Sequence, residues 1–200
     1  MRLPLLHARS RALPVTLSVL VTTAVAAAWC AWRLQASEAF DHTARVPVVV
    51  LAPLLAASAI GTSLFTHSDE LDRTAVRPWP PRRLRQLLGL TAFAGLVLAL
   101  SVPGHPEEFG APAMVRNLLG AAGVTAGTAA LLGARISWLP LTAYLSAVYL
   151  AAPGVPGGAA AVWAWPMQPG PQVAAWVVAL SAYVAGGALY VWRGARPEGG

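Results

Sequence analysis

Residues 46–65 read VPVVVLAPLLAASAIGTSLF, a stretch of 20 residues without a single charged side chain. The hydrocarbon core of a bilayer is about 30 Å thick and is crossed by about 20 helical residues. Apolar residues make up 56% of the 200-residue chain and charged residues 11%, against about 25% charged residues in soluble globular domains. The sequence therefore predicts that this stretch is a transmembrane helix and that the chain is a membrane protein.

Other stretches of the chain have a similar length and apolar character. Together they predict six transmembrane helices, at about 14–32, 46–65, 87–103, 114–133, 137–153 and 172–192. Six such helices occupy roughly 120 residues, which leaves only short loops and tails. The predicted fold is all-α: a polytopic membrane protein with one transmembrane domain over residues 1–200 and no soluble catalytic domain.

The arginines predict how this domain is oriented. The chain has 14 arginines and no lysine. With a cytoplasmic N-terminus, all but Arg33, Arg45 and Arg116 fall on the cytoplasmic side, as the positive-inside rule requires. We therefore expect a multi-pass protein of a bacterial plasma membrane with both termini in the cytoplasm. The net charge of +6 is then a topology signal, and nucleic acid is not an expected partner.

The missing lysine excludes two kinds of chemistry. A P-loop ATPase uses a lysine on the nucleotide phosphates, and Schiff-base or pyridoxal-phosphate enzymes use a lysine amine. The chain also contains no HExxH, CxxC, GxSxG or dinucleotide-binding glycine motif. A metal site on the outer side would have to be formed by His42, Asp41, His105, Glu107 and Glu108. The simpler interpretation is that these polar residues lie in solvated loops. We therefore expect no enzyme activity, no metal and no cofactor on this chain.

The longest predicted cytoplasmic connection, residues 67–86, lies between the second and third helices. Its acids Asp69, Glu70 and Asp72 favour the positive N-terminal end of a helix, and Asp69 and Arg73 have the spacing of an i,i+4 ion pair. A proline-rich stretch then ends the helix. The sequence predicts a short cytoplasmic helix here, followed by an arginine-rich entry into the third transmembrane helix.

This loop and the predicted topology resemble the membrane permease subunits of the type-2 ABC exporter class. Those subunits have six helices, cytoplasmic termini and a coupling helix after the second span. The stretches ELDRT at 70–74 and PPRR at 80–83 are similar to that family's acid-x-acid/base-Gly-Thr and Pro-x-x-Arg pattern. Arg73 stands where the family usually has glycine, and the lysine often found at the start of the third helix is missing. The chain would be a compact, divergent member.

The resemblance implies a permease subunit of an ATP-driven ABC exporter. Its partners would be a separate ABC ATP-binding subunit, which binds ATP and Mg²⁺, and a second permease in a homodimer or heterodimer. The residues expected to couple to the ATPase are Asp69, Glu70, Asp72, Arg73, Thr74, Arg82 and Arg83. One alternative is a small integral membrane accessory or structural protein with no transport path of its own, in which this loop is simply solvated. A membrane-embedded lipid enzyme is less favoured, because the predicted helices offer no catalytic His, Asp or Glu.

The fourth predicted helix carries two further candidates. Gly120, Gly123 and Gly127 form a small-residue face that allows close helix packing, either within the chain or between two copies. Arg116 and Asn117 are the most polar pair near the hydrocarbon region and are candidates for contact with a substrate or an anionic headgroup. The alternative is that Arg116 extends to the outer headgroups.

The last outer loop is the third candidate. Residues 153–171 are rich in proline and glycine and contain Trp163 and Trp165 within a short apolar segment. An apolar segment of this length between helix breakers is typical of a re-entrant or interfacial hairpin. In the resembling family such segments lie at the outer mouth of the pathway, so Trp163 and Trp165 are candidate gate residues.

Overall fold

The computed structural model describes residues 13–35, 45–65, 80–104, 107–151 and 156–197, and these described residues contain no strand. Their helices are α1 (Leu13–Gln35), α2 (Val46–Ser63), α3 (Pro80–Ser101), α4 (Ala111–Leu132), α5 (Leu139–Ala151), α6 (Ala160–Trp163), a 3₁₀ helix (Trp165–Met167) and α7 (Val173–Arg193). Five of them, α1 to α4 and α7, are long and apolar enough to cross a membrane. The predicted all-α fold is confirmed, and it is that of a helical membrane protein.

The fifth predicted span, 137–153, is not a full-length transmembrane helix. Its counterpart α5 has 13 residues, and at 1.5 Å per residue it is about 20 Å long, against about 30 Å of hydrocarbon. Two prolines explain the short length. Pro140 is tolerated in the first turn of α5, but its ring would clash with a preceding helical turn, so the helix cannot begin much earlier. A proline also disfavours helical conformation in the residue before it, so Pro153 limits the helix at its other end. The prediction of six full-length spans is therefore wrong in this segment.

The chain nevertheless crosses the bundle between α4 and α7. Ser137, just after α4, lies against Gly61 near the end of α2. The carbonyl of Gln168 accepts a hydrogen bond from Arg116 in the second turn of α4. The chain between residues 137 and 168 thus passes from the end of α4 back to its start. A short helix and a loop segment take the place of the predicted fifth span.

Hydrogen bonds between helix ends, including that of Asn117 near the start of α4 to Val49 near the start of α2, show that α2, α4 and α7 run in one direction and α3 in the other. At one end of the bundle the Gln86 side chain donates to the Ser63 carbonyl, and the Arg196 backbone N–H donates to the Ala129 carbonyl. We call this the arginine end, because it carries Arg82, Arg83, Arg85, Arg135, Arg193 and Arg196. The opposite end, where α2, α4 and α7 begin, is called the hairpin end.

Helix α4 is the centre of the bundle, with 14 of its 22 residues buried. Its backbone comes very close to that of α7 at Gly123, Gly127 and Gly186, which we call the glycine seam. A methyl group added at Gly186 would collide with the Gly123 carbonyl group, and one added at Gly123 would collide with the backbone of residues 182 and 183. Only glycine allows the two backbones to approach this closely.

Candidate functional site

The most polar part of the buried structure lies where α4 begins. Gly110, in an extended conformation, precedes the helix, and Pro112 occupies its first turn, where the missing N–H of proline has no cost. This start places Arg116 and Asn117 in the second turn, where they are 0% and 2% exposed. Buried polar side chains of this kind need hydrogen-bond partners.

The guanidinium of Arg116 finds all its partners within the protein. Its Nη1 donates to the Pro169 carbonyl at 2.7 Å and its Nη2 to the Gln168 carbonyl at 2.6 Å. Its Nε and Nη2 also donate to Asn117 Oδ1 at 3.2 and 3.1 Å. Because the side chain is fully buried, it does not extend to the outer headgroups. Neither a substrate nor a headgroup can reach the guanidinium in this conformation. Contact of Arg116 with a substrate or headgroup therefore stays a prediction and would need a different conformation.

Asn117 joins three parts of the chain. Its Nδ2 donates to the Val49 carbonyl in α2 at 3.0 Å and to the Pro166 carbonyl at 2.7 Å. The Val49 carbonyl is available because its normal helical partner four residues later is Pro53, which lacks an N–H group. The Asn117 amide thus supplies the hydrogen bond that the proline removes. We call Arg116, Asn117 and the carbonyls that they bind the polar latch.

The polar latch holds residues 156–172, which contain α6 and the 3₁₀ helix and which we call the hairpin. The buried Gln168 side chain closes it internally by accepting from the Gly157 N–H at 2.8 Å. The Tyr144 hydroxyl of α5 donates to the Trp163 carbonyl at 2.6 Å. The indole of Trp176 donates to the Gly170 carbonyl at 2.8 Å. The hairpin is therefore fastened by discrete polar bonds to α4, α5 and α7.

The two candidate gate tryptophans occupy different environments. Trp165 is 5% exposed, and its ring lies against Gly120, where an added methyl group would overlap it. Trp163 is 41% exposed. Only Trp165 therefore inserts into the bundle, and Gly120 makes room for it. Gly123 and Gly127, the other glycines of the predicted packing face, lie in the glycine seam against α7.

Three further residues belong to this site although no sequence pattern pointed to them: Gln168, Tyr144 and Trp176. Each is a polar or aromatic residue beside an apolar run, which is common in membrane proteins and carries no specific signal. Pro53 is the one recognisable sequence signal, because a proline inside a helix always frees a carbonyl that then needs a donor. The donor itself lies 68 residues away from Val49 in the chain.

The residues expected to couple to an ATPase are only partly described. Asp69, Glu70, Asp72, Arg73 and Thr74 lie outside the described residues. Arg82 and Arg83 lie in the first turn of α3 at the arginine end. The Arg83 guanidinium lies against Gly194, directly after α7. Gly194 has φ of +79°, a conformation that favours glycine.

Charge is distributed unevenly between the two ends. The carboxylates in the described part of the chain are Glu107 and Glu108, both at the hairpin end next to the start of α4. The Glu108 backbone carbonyl accepts from the Gly170 N–H at 2.6 Å, and its Oε2 is buried without a hydrogen-bond partner. Nowhere in the described ranges do three or more His, Cys, Asp or Glu side chains form a group that could hold a metal ion.

What the described residues show is a helical membrane bundle with a hairpin fastened at one end. No protein-family model, curated protein or solved structure matches this chain. The resemblance to type-2 ABC exporter permeases therefore stays a prediction, drawn from residues 70–74 and 80–83 and from the predicted topology.

Proposed function

We propose that this protein is the transmembrane permease subunit of an ATP-driven ABC exporter and that the hairpin is its outer gate. The observation that carries the proposal is the fastening of the hairpin by the polar latch. Irregular backbone at membrane depth is tolerated where protein groups satisfy its carbonyls, and Arg116 and Asn117 do this for residues 166, 168 and 169. A segment held by a few such bonds can be released as a unit, as gates and lids are.

The charge distribution supports the orientation that this proposal requires. Six of the nine arginines in the described part of the chain lie at the arginine end, and both described carboxylates lie at the hairpin end. By the positive-inside rule the arginine end faces the cytoplasm. The hairpin then lies on the outer side, both termini are cytoplasmic, and the loop expected to contact the ATPase lies on the same side as that partner.

A route from the cytoplasmic loop to the hairpin runs through α3 and α7. Arg83 lies against Gly194, and Leu87 one turn later lies against Gly187. A displacement of the start of α3 would therefore be passed to the C-terminal half of α7. The first residue of α7, Val173, directly follows the hairpin. An ATPase that moves the loop can thus act on the gate at the opposite end through one rigid helix.

The centre of the single bundle is filled. Ala122, Ala126 and Ala129 of α4 are completely buried among neighbouring helices. In the permease proposal the translocation path therefore runs along a face shared with a second permease subunit, identical or different. The same filled centre is the observation that favours the alternative, a membrane accessory protein without a path of its own. The permease proposal requires that residues 69–74 stimulate ATP hydrolysis by a partner ATPase, whereas the accessory-protein alternative does not.

The test is to co-express the chain with a candidate ABC ATP-binding subunit, purify the complex and reconstitute it in liposomes. In the permease proposal, replacing Glu70 and Arg73 together with alanine abolishes the stimulation of ATP hydrolysis while membrane insertion stays normal. The control replaces Glu107 and Arg33 together with alanine, which removes one carboxylate and one arginine away from this loop, and it leaves the stimulation unchanged. Equal ATPase activity with and without the chain, or full stimulation by the Glu70 and Arg73 variant, would contradict the proposal.

A further inference from the structure

The charge on Arg116 is not needed for the bonds that it makes in this structure. All its partners are neutral oxygens: two backbone carbonyls and the amide oxygen of Asn117. Neither of the two described carboxylates, Glu107 and Glu108, is among them. A buried ion without a counter-ion is costly, and a neutral amide could donate to a carbonyl without that cost. The guanidinium charge therefore points to a second state of the latch.

A second buried guanidinium lies at the same end of the bundle. Arg45 is 3% exposed, and its Nη1 has no hydrogen-bond partner. It precedes Val49 by four residues and so lies one turn further towards the hairpin end on the same face of α2. The Val49 carbonyl accepts from Asn117. The face of α2 that contacts Asn117 thus also carries Arg45, a buried cation with an unused hydrogen-bond donor.

From these two arginines we infer that the space under the hairpin is a binding site for the anionic headgroup of an amphiphile, with a phosphate or carboxylate group as the ligand. This inference rests on the proposed function, because it names the substrate class of the same gate. When the hairpin is released, the Arg116 donors that face the carbonyls of residues 168 and 169 become free. In the closed state these carbonyls occupy the positions of the ligand oxygens.

The geometry at Arg116 fits this exchange. Two separate guanidinium nitrogens meet two adjacent carbonyl oxygens at 2.7 and 2.6 Å, the paired arrangement in which arginine binds phosphate or carboxylate oxygens. An anion would keep these bonds and also neutralise the buried charge. The apolar surroundings on α4, where Ala113 and Leu118 are buried, suit an amphiphile over a free ion.

The test measures binding to the full chain in phosphatidylcholine nanodiscs, with no ATPase present. The ligands are dodecyl phosphate, dodecyl maltoside with the same tail, and inorganic phosphate without a tail. We expect dodecyl phosphate to bind most tightly. Arg116→Gln should weaken its binding at least about tenfold, the loss expected of one charge-assisted hydrogen bond. Arg193→Gln, at the arginine end, should leave it unchanged.

Two variants keep the test independent of folding defects in Arg116→Gln. Arg45→Gln leaves every bond of the polar latch in place and should also weaken the binding of dodecyl phosphate. Gly120→Ala makes the Trp165 ring move and so favours the released hairpin. Because ligand affinity rises with the fraction of the competent state, this variant should bind dodecyl phosphate more tightly than the wild type.

Unchanged binding in both Arg116→Gln and Arg45→Gln would overturn the inference. Equal affinity for dodecyl maltoside and dodecyl phosphate would show that the site does not recognise an anionic headgroup. Equal affinity for inorganic phosphate and dodecyl phosphate would show that the site does not select an amphiphile. Weaker binding by Gly120→Ala would show that the site does not lie under the hairpin. Because no ATPase takes part, any of these results leaves the proposed permease function to its own test.

Discussion

The glycine seam and the polar latch both involve α4, but different forces hold them. In the seam the backbones of α4 and α7 touch at Gly123 and Gly186, and such close contacts lose much of their energy within about 1 Å of separation. In the latch Arg116 and Asn117 bind carbonyl oxygens, and hydrogen bonds of this kind can be exchanged for others at a small net cost. The seam is thus suited to a fixed joint and the latch to a releasable one.

The largest effect is expected from a change that breaks the seam. Gly186→Ala places a methyl group on the Gly123 carbonyl, where only backbone could move away. We expect the free energy of unfolding to fall by about 3 kcal/mol or more, at the upper end of overpacking effects, as measured by unfolding in detergent micelles. Gly89→Ala on α3 is the matched control, because a methyl group there meets nothing within 4 Å. A loss in the control as large as that in Gly186→Ala would contradict the seam.

The second effect is expected from removing the amide of the latch. Asn117→Ala leaves the carbonyls of Val49 and Pro166 without their donor, and we expect a loss of about 2–3 kcal/mol in the free energy of unfolding. Pro53→Ala gives residue 53 a backbone N–H, which can donate to the Val49 carbonyl. It should therefore recover about 1 kcal/mol in the Asn117→Ala background and less in the wild type. Equal effects of Pro53→Ala in both backgrounds would contradict the pairing.

The smallest effect is expected at the rim of the hairpin. Tyr144→Phe removes the hydroxyl that donates to the Trp163 carbonyl and should cost about 1 kcal/mol. Hydrogen exchange should therefore become faster in residues 156–172 while exchange in the glycine seam is unaffected. Tyr149→Phe, on an exposed part of the same helix, is the control and should change neither region. Faster exchange in the seam would show that the two regions are not independent.

The features that were predictable from the sequence are those that one segment carries by itself. The five apolar runs near 14–32, 46–65, 87–103, 114–133 and 172–192 form long helices, because a helix of that length and composition satisfies its backbone hydrogen bonds internally, whatever surrounds it. The packing face of α4 was also predictable, because its glycines lie within one segment and their spacing places them on one side of the helix. The helix that packs there, α7, could not be predicted, because the face itself does not specify its partner.

The features that were missed depend on two distant segments or on where a helix stops. The length of α5 is limited by Pro140 and Pro153, although the apolar run across them has the composition of a span. The latch depends on the alignment of Asn117 with the carbonyl freed by Pro53, and this alignment follows from helix packing. Arg116 was identified as unusual from its polarity alone, but its burial depends on the hairpin, whose docking is a tertiary contact.

The central claim is that the hairpin is a releasable gate on the outer side, and cysteine labelling in intact cells tests it most directly. With Cys30 replaced by serine, Ala164→Cys places one thiol at a fully buried position of the hairpin, and Val162→Cys places one at an exposed position. A membrane-impermeant maleimide should label Cys at 162 from outside at the same rate whether or not Arg116 is present. Labelling at 164 should be slow and should become at least about tenfold faster with Arg116→Gln, which weakens the latch by one charged bond. Labelling of both positions only after the cells are permeabilised, or a rate at 164 that does not respond to Arg116, would contradict the claim.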